Sequence, residues 1–247
     1  MKRIFCIIVL VLMFAGEMFS QDKTYFGIKG GINTPRLYYT DSELSSLPHD
    51  FNIKPSLGVF LEFPLSSKLS LATELNYQVR GGGTSYVYEQ DYDVTYNVNA
   101  NYLSLRLPFY WYLAKKKAVS PYLMLGPDFG YVIGGEISLS QPGLENEAIS
   151  ATINDSNYNP LYIGVLAGVG LRHKAELRNY ICIVKLDVAV NWGLLDTFSQ
   201  AEHDDTAVPV NIHAYNDQGK RFSRGLEVSL SFGLIRNEDM SACRKFK

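Results

Sequence analysis

Residues 68–80, with the sequence KLSLATELNYQVR, decide the fold of this 247-residue chain. Leucine, threonine, tyrosine and valine occupy the odd-numbered positions, whereas the even-numbered positions are mostly polar or charged. This period of two is typical of a β-strand whose two faces meet different surroundings. A helix has a period of 3.6 residues and would mix Glu74, Gln78 and Arg80 with the leucines. The segment therefore predicts a long strand with one apolar and one polar face.

The same alternation recurs in other segments and predicts strands along most of the chain. The eight predicted strands are 25–33, 54–63, 68–80, 98–113, 121–136, 161–174, 180–192 and 226–234. Each has about ten residues or more, which is enough for a tilted strand to cross a bilayer. An even number is typical of bacterial barrels whose termini lie on one side. The predicted fold is all-β: an eight-stranded antiparallel up-and-down transmembrane β-barrel.

The distribution of large and small side chains indicates which face of this barrel points outward. The small residues of the polar face are Gly58, Ala72, Gly126, Gly130, Gly164, Gly168, Gly170, Ser229 and Gly233. The bulky residues of the apolar face are Phe63, Phe109, Trp111, Phe129, Tyr131, Trp192 and Phe232. An eight-stranded barrel has room only for closely fitted side chains, so the bulky set would overfill its interior. The apolar face is therefore expected to contact lipid; a soluble, ligand-binding barrel is the alternative.

Aromatic residues near the strand ends are expected to form the girdles at the two membrane interfaces. The residues assigned to these girdles are Tyr77, Trp111, Tyr122, Tyr180 and Trp192.

The beginning of the chain has the features of a secretory signal peptide. Lys2 and Arg3 form a positive start, residues 4–15 are an almost unbroken apolar run, and residues 16–21 resemble a cleavage region. The apolar run is shorter than the roughly 20 residues of a membrane-spanning helix. We predict a signal peptide at 1–20, an outer-membrane β-barrel domain at 21–236 and a polar C-terminal tail at 237–247.

The composition argues against two classes of protein. A formal net charge of −2 disfavours a nucleic-acid partner, because nucleic-acid-binding proteins carry a basic excess. The chain has 3 cysteines and Cys6 lies in the predicted signal peptide, so a disulfide-rich scaffold is excluded. Whether Cys182 and Cys243 ever pair is left open.

The predicted connections alternate between short and long, which orients the barrel. The short connections are 64–67, 114–120 and 175–179, and the long ones are 34–53, 81–97, 137–160 and 194–222. Bacterial barrels have short periplasmic turns and longer extracellular loops. The sequence therefore predicts a protein of the bacterial outer membrane with both termini in the periplasm and four loops outside.

Charged residues on the polar face are predicted to form a cluster in the lumen. The cations are Lys29, Arg80, Arg106, Arg172 and Lys185, and the anions are Glu62, Glu74, Asp128, Asp187 and Glu227. Buried charges are tolerated only when they are paired and hydrogen-bonded. The structural interpretation is a salt-bridged plug that closes the barrel, because eight strands leave little free bore. The functional interpretation is a narrow ion path, or a gate that opens when pairs exchange.

No catalytic, metal-binding or cofactor-binding residues are predicted. His203, followed by two aspartates, could form a metal site or an acid–base pair with His213, but zinc-type spacing is absent. Asp91 and Asp93 could contact calcium but lack the other oxygen ligands of a loop site. An outer-membrane enzyme acting on lipid A or peptides through His203 or His213 is therefore a less favoured hypothesis.

Several strand patterns resemble the PorT-like family of outer-membrane β-barrels, which is common in Bacteroidetes-type bacteria. The similar segments are 26–33 with 37–39, 102–108, 121–127 with 129–131, and 164–170. The resemblance covers essentially the whole chain after the predicted signal peptide and implies architecture rather than activity. Because the namesake of the family takes part in type IX protein secretion, the resemblance also implies a secretion role as an alternative.

The predicted function is that of a non-enzymatic, monomeric surface barrel without a cofactor. Its wall would contact outer-membrane lipid, and its four loops would contact lipopolysaccharide, ligands or partner proteins. The alternative is an accessory component of a type IX-like secretion or envelope-assembly machine.

Overall fold

The computed structural model describes residues 24–39, 49–50, 52–88, 92–114, 119–140, 148–153, 158–177, 180–197 and 221–236. The strands in this part of the chain are β1 (Tyr25–Tyr39), β2 (His49–Asp50), β3 (Lys54–Pro64), β4 (Leu69–Tyr88), β5 (Tyr92–Arg106), β6 (Phe109–Tyr112), β7 (Val119–Ser140), β8 (Ala148–Thr152), β9 (Leu161–Leu177), β10 (Tyr180–Gly193) and β11 (Arg221–Arg236). No helix with the length and apolarity of a membrane span occurs among these residues. The predicted signal peptide at 1–20 and tail at 237–247 lie outside them.

Eight long strands form a closed antiparallel wall. Their order around the barrel is β1, β3, β4, β5, β7, β9, β10 and β11, and β11 pairs again with β1. β6 follows β5 in the same wall position and pairs with β4 and β7. The short strands β2 and β8 add to β4 and β7 at the end of the barrel with the long connections. The predicted eight-stranded up-and-down barrel is confirmed.

Each wall strand turns one face outward and the other into the lumen. On β11 the exposed residues are Leu226, Val228, Leu230, Phe232 and Leu234, and the buried ones are Glu227, Ser229 and Ser231. The same alternation gives the other wall strands exposed apolar side chains and buried polar ones. The barrel therefore has an apolar outer band and a polar interior, in agreement with the argument from side-chain size.

The assignment of Tyr122 to an interfacial girdle is wrong. Its side chain is 1% exposed and lies in the lumen, whereas Trp111, Tyr180 and Trp192 are exposed on the outer face. Tyr122 lies an even number of residues from Asp128 on β7, so strand alternation turns both side chains inward. Its position near the strand end does not override that alternation.

Large rings occupy the lumen together with the small residues. The buried rings are Phe60, Tyr102, Tyr110, Tyr112, Tyr122, Tyr158 and Tyr162. Glycines make room for them: a Cβ at Gly170 would overlap the Tyr122 ring, and a Cβ at Gly164 would overlap the Tyr162 ring. The glycines of the polar face therefore leave space for the inward tyrosines. They do not indicate an interior that contains small residues alone.

The prediction of a long loop at 81–97 is wrong. β4 and β5 continue through this segment and pair from Gly81↔Asn99 to Tyr88↔Tyr92. Tyrosine, valine and threonine are frequent between residues 84 and 96 and favour a strand, which outweighs the turn signal of the three preceding glycines.

The other predicted boundaries differ from the structure by smaller amounts. β1 continues to Tyr39 and β7 to Ser140, so the wall extends farther toward the long connections than predicted. The predicted strand 98–113 is interrupted between β5 and β6 at Leu107 and Pro108. Proline has no backbone N–H to donate to a central ladder, which explains the interruption.

Replacing Leu230 by arginine tests whether the outer band contacts lipid. Leu230 is 41% exposed in the middle of the outward positions of β11. An arginine near the bilayer midplane should lower the free energy of unfolding by about 2–4 kcal/mol. The measurement is a urea titration of the barrel refolded into liposomes.

The matched control is Leu65→Arg, because Leu65 is 45% exposed but lies in the short turn between β3 and β4. This substitution should lower the free energy of unfolding by about 1 kcal/mol or less, as expected near the membrane interface. Equal effects of the two substitutions would contradict a lipid-facing band.

Candidate functional site in the lumen

The ten charged residues of the predicted cluster all have buried side chains inside the barrel. Lys29 is on β1, Glu62 on β3, Glu74 and Arg80 on β4, Arg106 on β5, Asp128 on β7, Arg172 on β9, Lys185 and Asp187 on β10, and Glu227 on β11. We call these residues the lumen charge cluster. Every wall strand supplies at least one of them, and the numbers of cations and anions are equal. The cluster therefore joins the whole circumference of the wall without a net formal charge.

Arg106 bonds to three residues of the bore. Its Nη1 and Nη2 atoms lie 3.1 Å from Glu227 Oε1 and 2.8 Å from Glu227 Oε2. Nη2 also donates to Gln78 Oε1 at 2.7 Å, and Nε lies 3.1 Å from Asp128 Oδ2. β11, which carries Glu227, is opposite β5 in the order around the wall. The two-pronged contact between guanidinium and carboxylate therefore spans the bore, in the geometry that gives strong charge-assisted hydrogen bonds.

Asp128 extends this contact to a second arginine. Arg80 Nη2 lies 2.5 Å from Asp128 Oδ2, the same oxygen that accepts from Arg106. The Arg80 guanidinium also stacks on Tyr162, with its carbon 3.5 Å from the ring centroid. One carboxylate on β7 thus holds arginines from the two strands β4 and β5.

Lys29 forms the centre of a group of carboxylates. Its Nζ atom lies 3.1 Å from Glu74 Oε2, 3.6 Å from Glu227 Oε1 and 3.8 Å from Asp187 Oδ2. These partners belong to β4, β11 and β10, so one ammonium links four strands. Its distances to Glu227 and Asp187 are longer than those of Arg106 to its partners, as expected for a compact charge shared among three carboxylates rather than a fork aligned with one.

Three tyrosines form a layer beside the carboxylates. Tyr110 donates to Glu74 Oε1 at 2.6 Å, Tyr112 donates to Glu62 Oε1 at 2.7 Å, and Tyr122 donates to Asp187 Oδ1. The Tyr122 centroid lies 5.2 Å from those of both other rings. The layer therefore fills the bore with rings while its hydroxyl groups satisfy carboxylate oxygens.

Lys185 and Arg172 complete the cluster next to this layer. Lys185 Nζ lies 3.1 Å from Glu62 Oε2 and 4.2 Å from the Tyr110 centroid. The Arg172 guanidinium carbon lies 4.3 Å from the Tyr112 centroid. Both cations thus contact tyrosine faces, which attract positive charge.

Apolar groups lie beyond the lumen charge cluster at both ends of the barrel. The group at the end with the long connections is Leu37, Val98, Ala100, Tyr102, Ile137, Ile153, Tyr158 and Tyr162. At the other end Ile181 and Ile183 pack with Tyr25. A cavity lined by Asn33, Arg80 and Asn191 has a volume of about 10 Å³, which is roughly the space of one water molecule. The described residues therefore fill the bore closely around the lumen charge cluster, whereas a cavity of about 390 Å³ at the end with the long connections is lined by Val132, Gly134, Ile153, Tyr158 and Pro160.

Sequence reasoning missed the tyrosine layer and Gln78 as members of this site. A signal for the tyrosines is present in the segment Phe109–Tyr112, where phenylalanine and tryptophan alternate with tyrosine. Phe109 and Trp111 are exposed, and Tyr110 and Tyr112 are buried. In this segment the rings with a hydroxyl group thus follow the inward parity of the charged residues, whereas Tyr77, Tyr131 and Tyr180 are exposed on the outer face.

Most of the other candidate residues lie outside the part of the chain that the structure describes. His203, His213, Asp91 and Cys243 lie outside the described residues. No group of three or more histidine, cysteine, aspartate or glutamate side chains that could hold a metal ion occurs in the part of the chain described. Cys182 is a half-buried free cysteine on the outward parity of β10.

Comparison with known families identifies the barrel. The family described as "Outer membrane protein beta-barrel domain" matches residues 19–199. The chain belongs to this family. It is accordingly a β-barrel of the bacterial outer membrane, and the lipid-facing role of the apolar band follows from that membership. A comparison with curated protein sequences found no match.

Solved structures of outer-membrane proteins are similar to this member of the family. Ail from Yersinia pestis is 11% identical, with 86% of this chain and 99% of that chain covered and a TM-score of 0.38. OprG from Pseudomonas aeruginosa is 8% identical, with 87% and 95% covered and a TM-score of 0.39. A major outer membrane protein from Thermus thermophilus is 12% identical, with 86% and 100% covered and a TM-score of 0.43.

A double-mutant cycle tests the contact across the bore. Arg106→Met leaves Glu227 and Asp128 with fewer cationic partners, and breaking a buried pair costs about 3–5 kcal/mol. Glu227→Leu should cost a similar amount because it leaves the guanidinium partly unpaired. The double variant should lose less free energy of unfolding than the two single variants lose together, since both charges of the pair are then absent. The measured quantity is the free energy of unfolding in liposomes.

Lys68→Met is the control for removal of a cation, because Lys68 is exposed in a turn. It should change the free energy of unfolding by about 0.5 kcal/mol or less. Strict additivity of the two lumen substitutions would show that Arg106 and Glu227 do not interact.

Proposed function

We propose that this protein is a non-enzymatic outer-membrane barrel with a closed lumen, whose surface at one end contacts ligands, lipopolysaccharide or other proteins. The observation that carries this proposal is the Arg106–Glu227 contact, which crosses the bore. It belongs to the lumen charge cluster, to which every wall strand contributes at least one residue. Conduction would need water or ions to replace contacts of 2.8–3.1 Å among buried charges. Removing one partner from such pairs is costly, so the plug is favoured over an ion path or exchanging gate.

A closed lumen places contacts with other molecules on the outside of the barrel. The two ends of the wall differ from each other, and this difference supports an orientation of the barrel in the membrane. β1 begins and β11 ends at the same end as the turns between β3 and β4 and between β9 and β10. Short turns in bacterial barrels are periplasmic, so we assign the termini to the periplasm and the opposite end to the cell exterior.

The resemblance to the PorT-like barrels of Bacteroidetes-type bacteria supports a second candidate function. In this candidate the barrel is an accessory component of a type IX-like secretion or envelope-assembly machine. Co-purification of the tagged barrel with a large envelope complex would favour this candidate, and recovery of a monomer would favour the first.

Conductance in planar bilayers tests the closed lumen. The wild-type barrel should give no discrete current steps, and neither should Arg106→Ala, because the tyrosine layer and the apolar groups at both ends still fill the bore. Each sample is first compared by gel migration before and after boiling, which establishes that the barrel is folded. Regular current steps from folded wild-type protein would overturn the plug.

Labelling of single cysteines tests the orientation. In a background with Cys182→Ala and Cys243→Ala, the two reporters are Thr152→Cys on β8 and Ser66→Cys in the turn between β3 and β4. Both residues are exposed. A membrane-impermeant maleimide should label Thr152→Cys on intact cells and Ser66→Cys only after the outer membrane is opened. The reverse pattern would contradict the orientation.

A further inference from the structure

Strand β7 is irregular near the end of the barrel with the long connections. Tyr102 of β5 pairs with Val132, and the preceding Asn101 pairs with Gly134, so Ile133 is the extra residue of a β-bulge. Gly134 has a φ of +146°, a backbone conformation that favours glycine. Apart from its own chain neighbours, a Cβ atom at Gly134 would have no described heavy atom within 4 Å. The bulge therefore borders open space.

The strand that pairs with β7 also changes at this bulge. β7 pairs with β9 as far as Tyr131 and pairs with β8 from Glu136 onward. In the described part of the chain, residues 132–135 have no strand partner on that side. Backbone hydrogen bonds of 2.9 Å and 3.0 Å bound this segment at Val132 and Gly135. The ladder of the wall is therefore broken beside the bulge.

The cavity of about 390 Å³ lies at this break, and we call it the wall cavity. Two of its lining residues, Tyr131 and Ile133, are exposed on the outer face of β7. Two others, Ile153 and Tyr158, are buried members of the apolar group at this end of the barrel. The volume is within the range of about 300–1,000 Å³ that is typical of small-molecule pockets. The wall cavity therefore leads from the outer face toward an apolar interior.

The mouth of the wall cavity lies where the apolar outer band ends. Tyr131 pairs in register with Leu103, which is exposed and belongs to that band. Gly134 pairs in register with Asn101, whose side chain accepts a hydrogen bond from the Tyr77 hydroxyl group. The mouth is thus continuous with the surface that contacts lipid, so an apolar molecule dissolved in the membrane can reach it without crossing water.

The lining of the wall cavity favours an uncharged ligand. The described lining residues are tyrosines, aliphatic residues, a glycine and a proline. Pockets with such a lining bind ligands mainly through apolar contact. Glu136 is the next charged residue along β7 and is exposed just beyond the cavity, where its carboxylate would repel an anion.

We propose that the wall cavity binds a small, uncharged molecule with a hydrocarbon chain, which enters from the membrane. This inference rests on the proposed function and deepens it, because it names a ligand class for the end of the barrel that the proposed orientation places outside. The acyl chains of membrane lipids extend from the headgroups toward the bilayer centre and hence away from the cavity. A free molecule therefore fits the site better than the chain of a lipid.

Photolabelling of the full-length mature barrel in liposomes tests the wall cavity. The probe is dodecanol with a diazirine group at the end of its chain, and labelled peptides are mapped by mass spectrometry. Labelling of Tyr158 should saturate with probe concentration and should be displaced by unlabelled dodecanol but not by dodecyl phosphate. Labelling of Leu125 on the outer band should rise in proportion to the probe, as expected for partitioning into the bilayer.

Ile133→Trp should remove the saturable labelling of Tyr158, because the larger ring fills the cavity from the outer face. Leu125→Trp is the matched control and should leave it unchanged, since Leu125 is 58% exposed on the same strand and Ile133 is 57% exposed. Gel migration before and after boiling establishes that each variant is folded. Val132→Phe, which fills the cavity from the inner face, replaces Ile133→Trp if that variant does not fold.

Three results would overturn the proposal: labelling of Tyr158 that does not saturate, unchanged labelling in folded Ile133→Trp, or equal saturable labelling by a phospholipid with the diazirine at its chain end. Current steps from the wild-type barrel or reversed cysteine labelling would instead contradict the proposed function. A membrane-dissolved probe reaches the wall in either orientation, so those results would leave the photolabelling unchanged. Failures of the two proposals are therefore distinguishable.

Discussion

The Arg106–Glu227 contact shows the constraint on which the rest of the barrel depends: the interior of eight closed strands is just wide enough for side chains, yet it carries charge. A charge taken out of water is tolerated only if other groups replace its hydration. The fork of Arg106 meets this requirement by bonding to Glu227, Asp128 and Gln78 at once. Since Glu227 is on the opposite strand, satisfying the charge also joins the two sides of the wall.

The same constraint fixes the register of the strands. Strand side chains alternate between faces, so a slip by one residue would exchange the inner and outer sets. On β1 such a slip would move Lys29 from its three carboxylates into lipid and bring the neighbouring Ile28 into the charged lumen. The apolar band and the lumen charge cluster therefore specify one register jointly, although each lies on a different face.

Strand parity explains how much of this arrangement was predictable from sequence. Glu74 and Arg106 were assigned to the lumen because they alternate with leucines, and parity needs no knowledge of neighbouring strands. The partners of Arg106 were not predictable, because pairing across a bore depends on the order of strands around the wall. The girdle prediction for Tyr122 is wrong because strand parity, and not position near a strand end, decides which face its side chain takes. The predicted loop 81–97 is wrong because tyrosine, valine and threonine after the three glycines favour a strand and continue β4 and β5.

A filled lumen restricts where this family member can recognise another molecule. Arg106 inside the bore is already bonded to three residues of the protein itself, Glu227, Asp128 and Gln78. Five cations and five anions balance within the lumen charge cluster, and the contact of Arg106 with Glu227 takes its balancing charge from the opposite wall. Under the proposed closed lumen, recognition of another molecule is therefore left to the outer face and the ends of the barrel.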